Sequence, residues 1–296
     1  MPLISDSNVS IASVPLAEQV STPATPPSGK RRIYAKADGI YMVDSAGVAT
    51  GPFGASETYD PTGWVATGET WTYASADSPS FTLTITGDLT SKYSAGMRVK
   101  LTQTTVKYFI ITKVAYGAPN TTLTLYGGTD YTLANAAISA SSYSTQKAPF
   151  GFPLDPAKWT VRVTDPNFYS QSTPVANTWY NLNSTGITIP IGVWNTRYQV
   201  DVGYSASSST ALDMFVTLST ANNSQSDINW TCSGYVQNGT YLELTFFRAG
   251  AISATSKTSY YLNVMTELGG ASTVLYLNSY ANNKSPLVLE AVCAYL

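Results

Sequence analysis

The sequence predicts an all-β fold, and three features of its 296 residues support that prediction. Apolar and polar residues alternate with a period of two, as in residues 81–86, where Phe, Leu and Ile share one face and three threonines the other. Turn residues follow such segments at short spacing, and good helix formers such as Lys, Glu and Arg are scarce. We therefore expect an N-terminal extended arm with a hairpin, a small antiparallel β-barrel or sandwich, and a C-terminal jelly-roll sandwich.

Residues 1–55 form the first predicted part, an arm followed by a β-hairpin. Residues 1–29 are polar and end in a stretch of prolines and small residues, which indicates an extended segment with no core of its own. Asp38-Gly39 lies between two strand-like runs and predicts the hairpin, because both residues tolerate positive φ. The expected contacts of the arm with a partner protein are its apolar residues Ile4, Ile11, Val14 and Leu16.

Residues 56–148 form the second predicted part, the small β-barrel or sandwich. Its clearest strand covers residues 81–86, and residues 97–101 repeat the alternation with Arg98 and Lys100 expected on the solvent side. Residues 106–114 are longer and more apolar, which predicts a central strand. Short antiparallel strands at this spacing, with turns between them, are most simply closed into a barrel or paired as a sandwich.

Residues 149–296 form the third predicted part, which begins after a proline-rich boundary. About eight or nine strand candidates in this block match the number in a jelly roll. The last candidate, residues 287–296, carries large apolar groups on both faces, and a strand of that kind belongs in a sheet whose outer face is covered. We therefore expect a homotrimer with this strand near its axis.

Composition excludes several classes of function. Only 11% of residues are charged, the net charge is -2 and histidine is absent, so histidine-based catalysis and histidine-ligated metals are excluded. Nucleic-acid binding is not expected, because no excess of positive charge attracts phosphates. Asp155 and Asp165 stand beside or near prolines and are expected to cap turns rather than to form a catalytic pair. We expect no enzymatic activity, no cofactor and no metal site, although calcium stays open because only its Asp-x-Asp-x-Asp-Gly loop is missing.

The cysteines, the N-terminal residues and the hydropathy pattern indicate whether disulfides, secretion or a membrane span are expected. Cys232 and Cys293 form no CxxC motif and are expected to be small buried hydrophobic residues, although a disulfide between them stays open. Residues 1–25 lack the basic and apolar regions of a secretory signal. No stretch approaches 18 uninterrupted apolar residues, so we expect no membrane insertion.

Several segments resemble proteins of bacteriophage particles. Residues 26–41, with their Pro-Pro-Ser-Gly-Lys start and Asp-Gly turn, resemble a hairpin that recurs in tail-fibre and related virion proteins. The middle block is similar to a module of phage tail proteins, and the final block resembles the trimeric, tumour-necrosis-factor-like jelly-roll heads that end fibres. The matching motifs of the middle block are Gly63-Trp64, Thr70-Trp71-Thr72-Tyr73-Ala74, Thr86-Gly87-Asp88-Leu89-Thr90, Lys107-Tyr108-Phe109, Tyr126-Gly127-Gly128, Tyr131-Thr132-Leu133 and Pro149-Phe150-Gly151-Phe152-Pro153.

The resemblance implies a non-enzymatic bacteriophage structural protein, a tail fibre or receptor-binding protein that contacts the host surface. The arm would then bind other virion proteins, and the protein would be located in the virion after assembly in the host cytoplasm. The alternative is a capsid decoration or head-fibre protein attached to the shell. A bacterial adhesin domain is a third hypothesis, which is disfavoured because no secretion signal is evident.

A host glycan is the expected ligand of the C-terminal head if the protein binds a receptor. Aromatic rings can stack on sugar rings while neighbouring amides and hydroxyls form hydrogen bonds. The candidates occur in polar, turn-rich surroundings, and each has the alternative of packing beneath a loop or at a trimer contact. They are Trp230 with Asn229 beside it, Tyr204 and Tyr280.

Overall fold

The computed structural model describes residues 17–37, 39–53, 61–278 and 286–296. Over these residues the chain forms 18 strands in three antiparallel sheets, with three short 3-10 helices and no α-helix, which confirms the all-β prediction. By contacts it divides into two compact units, Met1–Pro61 and Thr62–Leu296. The second unit contains both blocks that the sequence suggested as separate domains, and the division at residues 55 and 148 stays a prediction.

The strands are β1 (Arg32–Lys36), β2 (Gly39–Val43), β3 (Ala49–Phe53), β4 (Val65–Ala66), β5 (Thr72–Asp77), β6 (Ser80–Thr86), β7 (Arg98–Gln103), β8 (Thr105–Gly117), β9 (Asn120–Tyr126), β10 (Ser139–Ser144), β11 (Thr160–Asp165), β12 (Tyr169–Ser172), β13 (Gly186–Ile189), β14 (Gly192–Ser219), β15 (Thr231–Ala254), β16 (Thr258–Thr266), β17 (Val274–Leu277) and β18 (Leu287–Cys293). The 3-10 helices are Pro156–Trp159, Leu182–Ser184 and Ile228–Trp230.

The first unit contains the predicted hairpin. Strands β1 and β2 pair with Lys36 opposite Gly39, and β3 adds to β2 as a third strand. Tyr34 is buried and stacks on Tyr41 with ring centroids 5.5 Å apart. The aromatic pair gives this small sheet an apolar face of its own.

The second unit begins with a nearly closed sheet, here called the middle sheet (β4–β10). Its strand order is β4-β10-β7-β8-β9-β6-β5. The two end strands are consecutive in sequence and only residues 67–71 connect them, so the ends lie close together and the sheet curls towards a barrel. Phe81, Leu83 and Ile85 point into its core and are buried, as their alternation predicts.

The C-terminal sandwich (β11–β18) is organised by one long hairpin, β14–β15. The first half of β14 pairs with β18 and β17, and its second half pairs with β16. The ladder between β14 and β15 is irregular between Ser205 and Leu212. Irregular pairing bends a strand, and here it lets the hairpin contribute one half to each layer of the sandwich.

Tyr198 joins the two layers across the core. Its buried hydroxyl lies 3.2 Å from the carbonyl oxygen of Val216 and 3.1 Å from that of Trp230, within donating distance of both. Tyr198 and Val216 are 18 residues apart on one strand, which would separate them by about 60 Å in a straight strand. The hairpin is therefore folded back on itself. Burial is the main cause that raises the pKa of Tyr198, so the hydroxyl stays protonated and able to donate.

The middle sheet and the C-terminal sandwich share one hydrophobic core. Tyr126 of β9 meets Trp194 of β14 edge to face, with ring centroids 4.9 Å apart. Phe152 stacks on Trp159 at 5.0 Å and an interplanar angle of 6°. All four rings are buried in the same cluster as the sandwich interior. Rings packed at these distances resist sliding, so the two sheets form one stiff body.

Arg98 corrects an expectation, because the sequence placed it on the solvent side and the structure buries it. Its guanidinium donates to the carbonyl oxygens of Gly96, Lys147 and Tyr295 at 2.7, 3.1 and 2.8 Å. It also lies over the Phe152 ring. The alternation is correct within β7, but the segments around residues 147 and 295 cover that outer position. Arg98 thereby ties the middle sheet to the C-terminal segment.

The terminal strand is shorter than the predicted range of residues 287–296 and ends at Cys293. β18 runs between β11 and β14, and its inward residues, including Leu289 and Cys293, are fully buried. Its outward residues Val288 and Val292 are only partly buried, and Glu290 lies between them. The strand is therefore covered on one face by its own chain and keeps exposed surface on the other. Whether a second copy covers that outward face stays a prediction.

Replacing Tyr198 by Phe tests the bridge across the folded hairpin. We expect the free energy of unfolding to fall by about 1–3 kcal/mol, because the single O–H that the two buried carbonyl groups share is removed. The measurement is urea denaturation of both proteins. Tyr235→Phe is the matched control, because Tyr235 is exposed on β15 and should change stability by less than about 0.5 kcal/mol. Equal effects of the two substitutions would show that the bridge does not stabilise the fold.

Candidate functional site

The outer face of the C-terminal sandwich is the first candidate surface. It is the side of β11, β18, β14 and β15 that points away from the core, and its residues form cross-strand rows. The three rows are Thr160–Val292–Asn195–Ala251, Arg162–Glu290–Arg197–Ala249 and Thr164–Val288–Gln199–Phe247.

A charged row crosses the middle of this outer face. Glu290 accepts from Arg197 Nε at 2.7 Å and from Arg162 Nη1 at 3.3 Å. The Glu290 side chain is 11% exposed, whereas both arginine side chains are about half exposed. The two arginines therefore cover and neutralise a carboxylate that the sheet has largely removed from water. One positive charge remains in excess on the row.

The flanking rows of the outer face are neutral and partly apolar. Val288 and Val292 are partly buried, and Phe247 is exposed. Two open hollows of about 690 Å³ and 630 Å³ lie on this side of the sheet, and both are lined by Glu290 and Val292. A sheet face with apolar groups, short polar groups and internally paired charges suits contact with another protein surface.

A groove on the middle sheet is the second candidate surface, here called the aromatic groove. It has a volume of about 370 Å³, and its lining includes Trp64, Tyr108, Phe150, Lys100 and Thr102. The rings of Trp64 and Tyr108 lie 5.9 Å apart, and the Lys100 ammonium is 4.8 Å from the Trp64 ring centroid. The arrangement combines flat apolar surface with a hydroxyl and one cation, the usual elements of a small-ligand site.

The structure overturns the expectation that Trp230 and Tyr204 lie at the surface. Trp230 is 8% exposed and Tyr204 is 2% exposed, and both pack in the core of the C-terminal sandwich. Asn229 is exposed, but its amide donates to Asp227 and its carbonyl oxygen accepts from Arg248. Trp230 is the last residue of a short 3-10 helix with polar neighbours, and its ring points into the core beneath them. Tyr280 lies outside the described residues.

The predicted attachment residues also lie outside the described part of the chain. They are Ile4, Ile11, Val14 and Leu16. The described chain starts at residue 17, and Gln19 donates from its backbone to the carbonyl oxygen of Ala35 at 2.7 Å. Residues 18 and 19 therefore lie along β1 in the first unit.

Asp155 and Asp165, the two carboxylates that stand near prolines, stabilise turns. Asp155 accepts from the backbone of Ala157 and caps the first 3-10 helix, and Asp165 accepts from the backbone of Asn167. Both contacts are those that the sequence predicted. Among the described residues no three His, Cys, Asp or Glu side chains form a metal-binding group, and no helix there is long and apolar enough to cross a membrane.

Both cysteines are free thiols in the structure. Cys293 is fully buried in the core of the sandwich, and burial raises its pKa to about 11. Cys232 is partly exposed, which differs from the prediction that both are buried. Its position on β15 leaves one side of the thiol towards solvent. A raised pKa makes Cys293 a poor nucleophile, so its role is in packing.

Sequence reasoning missed the charged row and the exposed ring of Phe150. The alternation in the terminal strand does put Glu290 on one face with Val288 and Val292. Its pairing with Arg162 and Arg197 depends on strand register over more than 90 residues, which the sequence pattern does not reveal. Phe150 lies in a proline-rich segment that the sequence indicates as a domain boundary and as part of the resemblance to phage tail proteins, and neither interpretation predicts an exposed ring.

Comparisons with known proteins give only distant similarities. No protein-family model and no curated protein matches the chain. It is similar to dimeric latent PorU from Porphyromonas gingivalis, with 10% identity, a TM-score of 0.26, and coverage of 77% of this chain and 24% of that chain. It is also similar to a structure of infectious bursal disease virus, Gx strain, with 14% identity, a TM-score of 0.24, and coverage of 86% and 68%. The VP2 subviral particle of infectious bursal disease virus matches with 14% identity, a TM-score of 0.19, and coverage of 77% and 63%. Similarities at these scores assign neither a fold family nor a function.

Replacing Trp230 by Ala tests its placement in the core. We expect the free energy of unfolding to fall by about 3 kcal/mol or more, because a large buried ring leaves a cavity. The measurement is chemical or thermal denaturation. Ile228→Ala is the matched control from the same 3-10 helix, since Ile228 is exposed and should change stability by less than about 0.5 kcal/mol. An unchanged melting temperature for Trp230→Ala would contradict the buried placement of this residue.

Proposed function

We propose that this chain is a non-enzymatic structural protein of a bacteriophage particle, acting as a tail fibre or receptor-binding protein. The observation that best supports the proposal is the core shared by the middle sheet and the C-terminal sandwich. Because Tyr126 packs on Trp194 and Phe152 on Trp159, the described residues of the second unit can present a contact surface on one well-packed support.

The chemistry of the chain supports a structural role. A particle exposed to its surroundings gains from many backbone hydrogen bonds in sheets and from a surface of hydroxyl and amide groups. This chain has both, with 18 described strands and only 11% charged residues. The described carboxylates Asp155 and Asp165 are committed to turns rather than to a paired catalytic arrangement. In this proposal the particle assembles in the host cytoplasm.

The homotrimer belongs to the same proposal, with the outer face as the contact between subunits. Val288, Val292 and Phe247 leave apolar surface on this face. Glu290 is already paired with two arginines, so a subunit that covers the charged row does not leave a carboxylate buried without a partner. A second copy that buries this face would gain apolar contacts, and its own acceptor groups would have to pair with the arginine charge that Glu290 leaves in excess.

Replacing Phe247 by Glu tests the trimer. Phe247 is exposed on the outer face opposite the neutral Gln199, so the subunit should fold normally, while the face loses an apolar group and gains a carboxylate with no cation opposite it. We expect the unaltered protein to be trimeric by native mass spectrometry at micromolar concentration, and Phe247→Glu to be mainly monomeric. Val175→Glu, at an exposed position outside this face, should remain trimeric. A monomeric parent protein, or a trimeric Phe247→Glu, contradicts the proposed contact.

Immunogold labelling of intact particles tests the function. Label on tail tips supports a fibre or receptor-binding role, and label on the shell with bare tails identifies a capsid decoration or head-fibre protein instead. Particles without label contradict a virion role altogether.

Deleting residues 1–16 in the same experiment tests the arm. The deletion removes all four expected anchors and keeps the described contact of Gln19 with β1. We expect the shortened protein to fold and assemble but to be missing from particles. Normal incorporation of the shortened protein would exclude the arm as the attachment point.

A further inference from the structure

The aromatic groove presents an exposed ring on a rigid backbone. The Phe150 side chain is 78% exposed, yet both of its backbone groups are held. Its amide donates to the Thr62 carbonyl oxygen at 2.8 Å, and its carbonyl oxygen accepts from Trp64 Nε1 at 2.8 Å. Exposing an apolar ring of this size in water is unfavourable. Because the backbone that carries this exposed ring is held, less conformational freedom is lost when a ligand stacks on it than on a mobile loop.

The floor of the aromatic groove is equally fixed. Gly151 has φ of +81°, and a Cβ at this position would come within 3.0 Å of the Tyr108 hydroxyl oxygen. Glycine therefore lets the chain turn against Tyr108 directly after Phe150. The Tyr108 ring packs edge to face against Tyr131 and Phe152, with centroids 5.8 and 6.0 Å away. The floor of the groove and the backbone of its rim are therefore in place before a ligand enters.

The polar groups of the groove indicate the charge of its ligand. Of the described residues that line it, Lys100 alone is charged, and the others include the hydroxyl-bearing Thr62 and Thr102. The Lys100 ammonium lies over the Trp64 ring, at the side of the groove. A contact with an aromatic face leaves the ammonium able to donate hydrogen bonds to an acceptor, and a carboxylate is the strongest such acceptor.

We propose that the aromatic groove binds an acidic sugar, a uronic or sialic acid unit of a surface polysaccharide. The apolar face of the sugar ring stacks on Phe150, its carboxylate pairs with Lys100, and its hydroxyls bond to Thr102. The volume of about 370 Å³ is near the lower limit for ligand sites and suits one or two sugar rings. The inference rests on the proposed function, since it names the ligand class for host contact and moves it from the C-terminal head to the middle sheet.

Calorimetric titration of the full chain tests the site with three probes. These are tetragalacturonate, 3′-sialyllactose and the neutral maltotetraose. We expect at least one acidic probe to bind at least about tenfold more tightly than maltotetraose. Phe150→Ala should weaken that binding at least about tenfold, as expected for a main stacking contact, and Phe150→Tyr should preserve it. Lys100→Gln should remove most of the preference for the acidic probe.

Leu154→Ala is the matched control. Leu154 is 58% exposed, lies four residues from Phe150 and is not part of the groove lining, so binding should not change. Three results overturn the proposal: neither acidic probe binds at millimolar concentration, maltotetraose binds as tightly as the acids, or Phe150→Ala binds as the parent does. If Phe150→Ala lowers the melting temperature, the comparison of the parent with Phe150→Tyr and Lys100→Gln still decides the case.

The groove and the virion role can fail separately. Labelled particles whose protein binds no acidic probe overturn the groove and leave the virion role in place. Acid binding by a protein that is missing from particles overturns the virion role and leaves the sugar site in place.

Discussion

The C-terminal sandwich depends on one constraint, the folding of hairpin β14–β15 back over itself. Tyr198 spans the core between the two halves, where its hydroxyl meets backbone carbonyl groups of the opposite layer. Every other strand of the sandwich pairs with β14 or with a strand that does. The hairpin therefore sets the position of β18, and through β18 it aligns Arg162, Glu290 and Arg197 into one row.

Contacts between the C-terminal sandwich and the middle sheet hold the rest of the second unit to this hairpin. The aromatic rings of Tyr126 and Trp194 interlock, and Arg98 donates to carbonyl groups from three separate segments. A buried guanidinium is costly to remove from water, and burial lowers its pKa. Three carbonyl acceptors and the Phe152 ring offset that cost and hold the segments to one another. A stiff joint of this kind lets two sheets act as one body.

The two candidate surfaces differ in the physical character of what they can bind. The outer face is broad, its one carboxylate is paired with two arginines, and its apolar groups lie on β18 and β15, which suits another folded surface. The aromatic groove is small and concave, with an exposed ring at its rim and a single cation at its side, which suits a small polar ligand with a flat apolar face. In the proposed role, the chain would assemble through the outer face and bind its target through the aromatic groove.

The sequence by itself determined the fold class and the most regular strands, but not the length of the hairpin β14–β15. Alternation in residues 81–86 and the Asp-Gly hairpin depend on neighbouring residues alone, so local physics is sufficient to predict them. The tertiary structure decided which of the residues expected at the surface are exposed to solvent. It buried Arg98 beneath a distant segment, turned Trp230 inward below a polar loop, and left Phe150 exposed in a segment that reads as a boundary. Exposure depends on what packs over a residue, and those partners lie far away in sequence, where a periodic pattern carries no information.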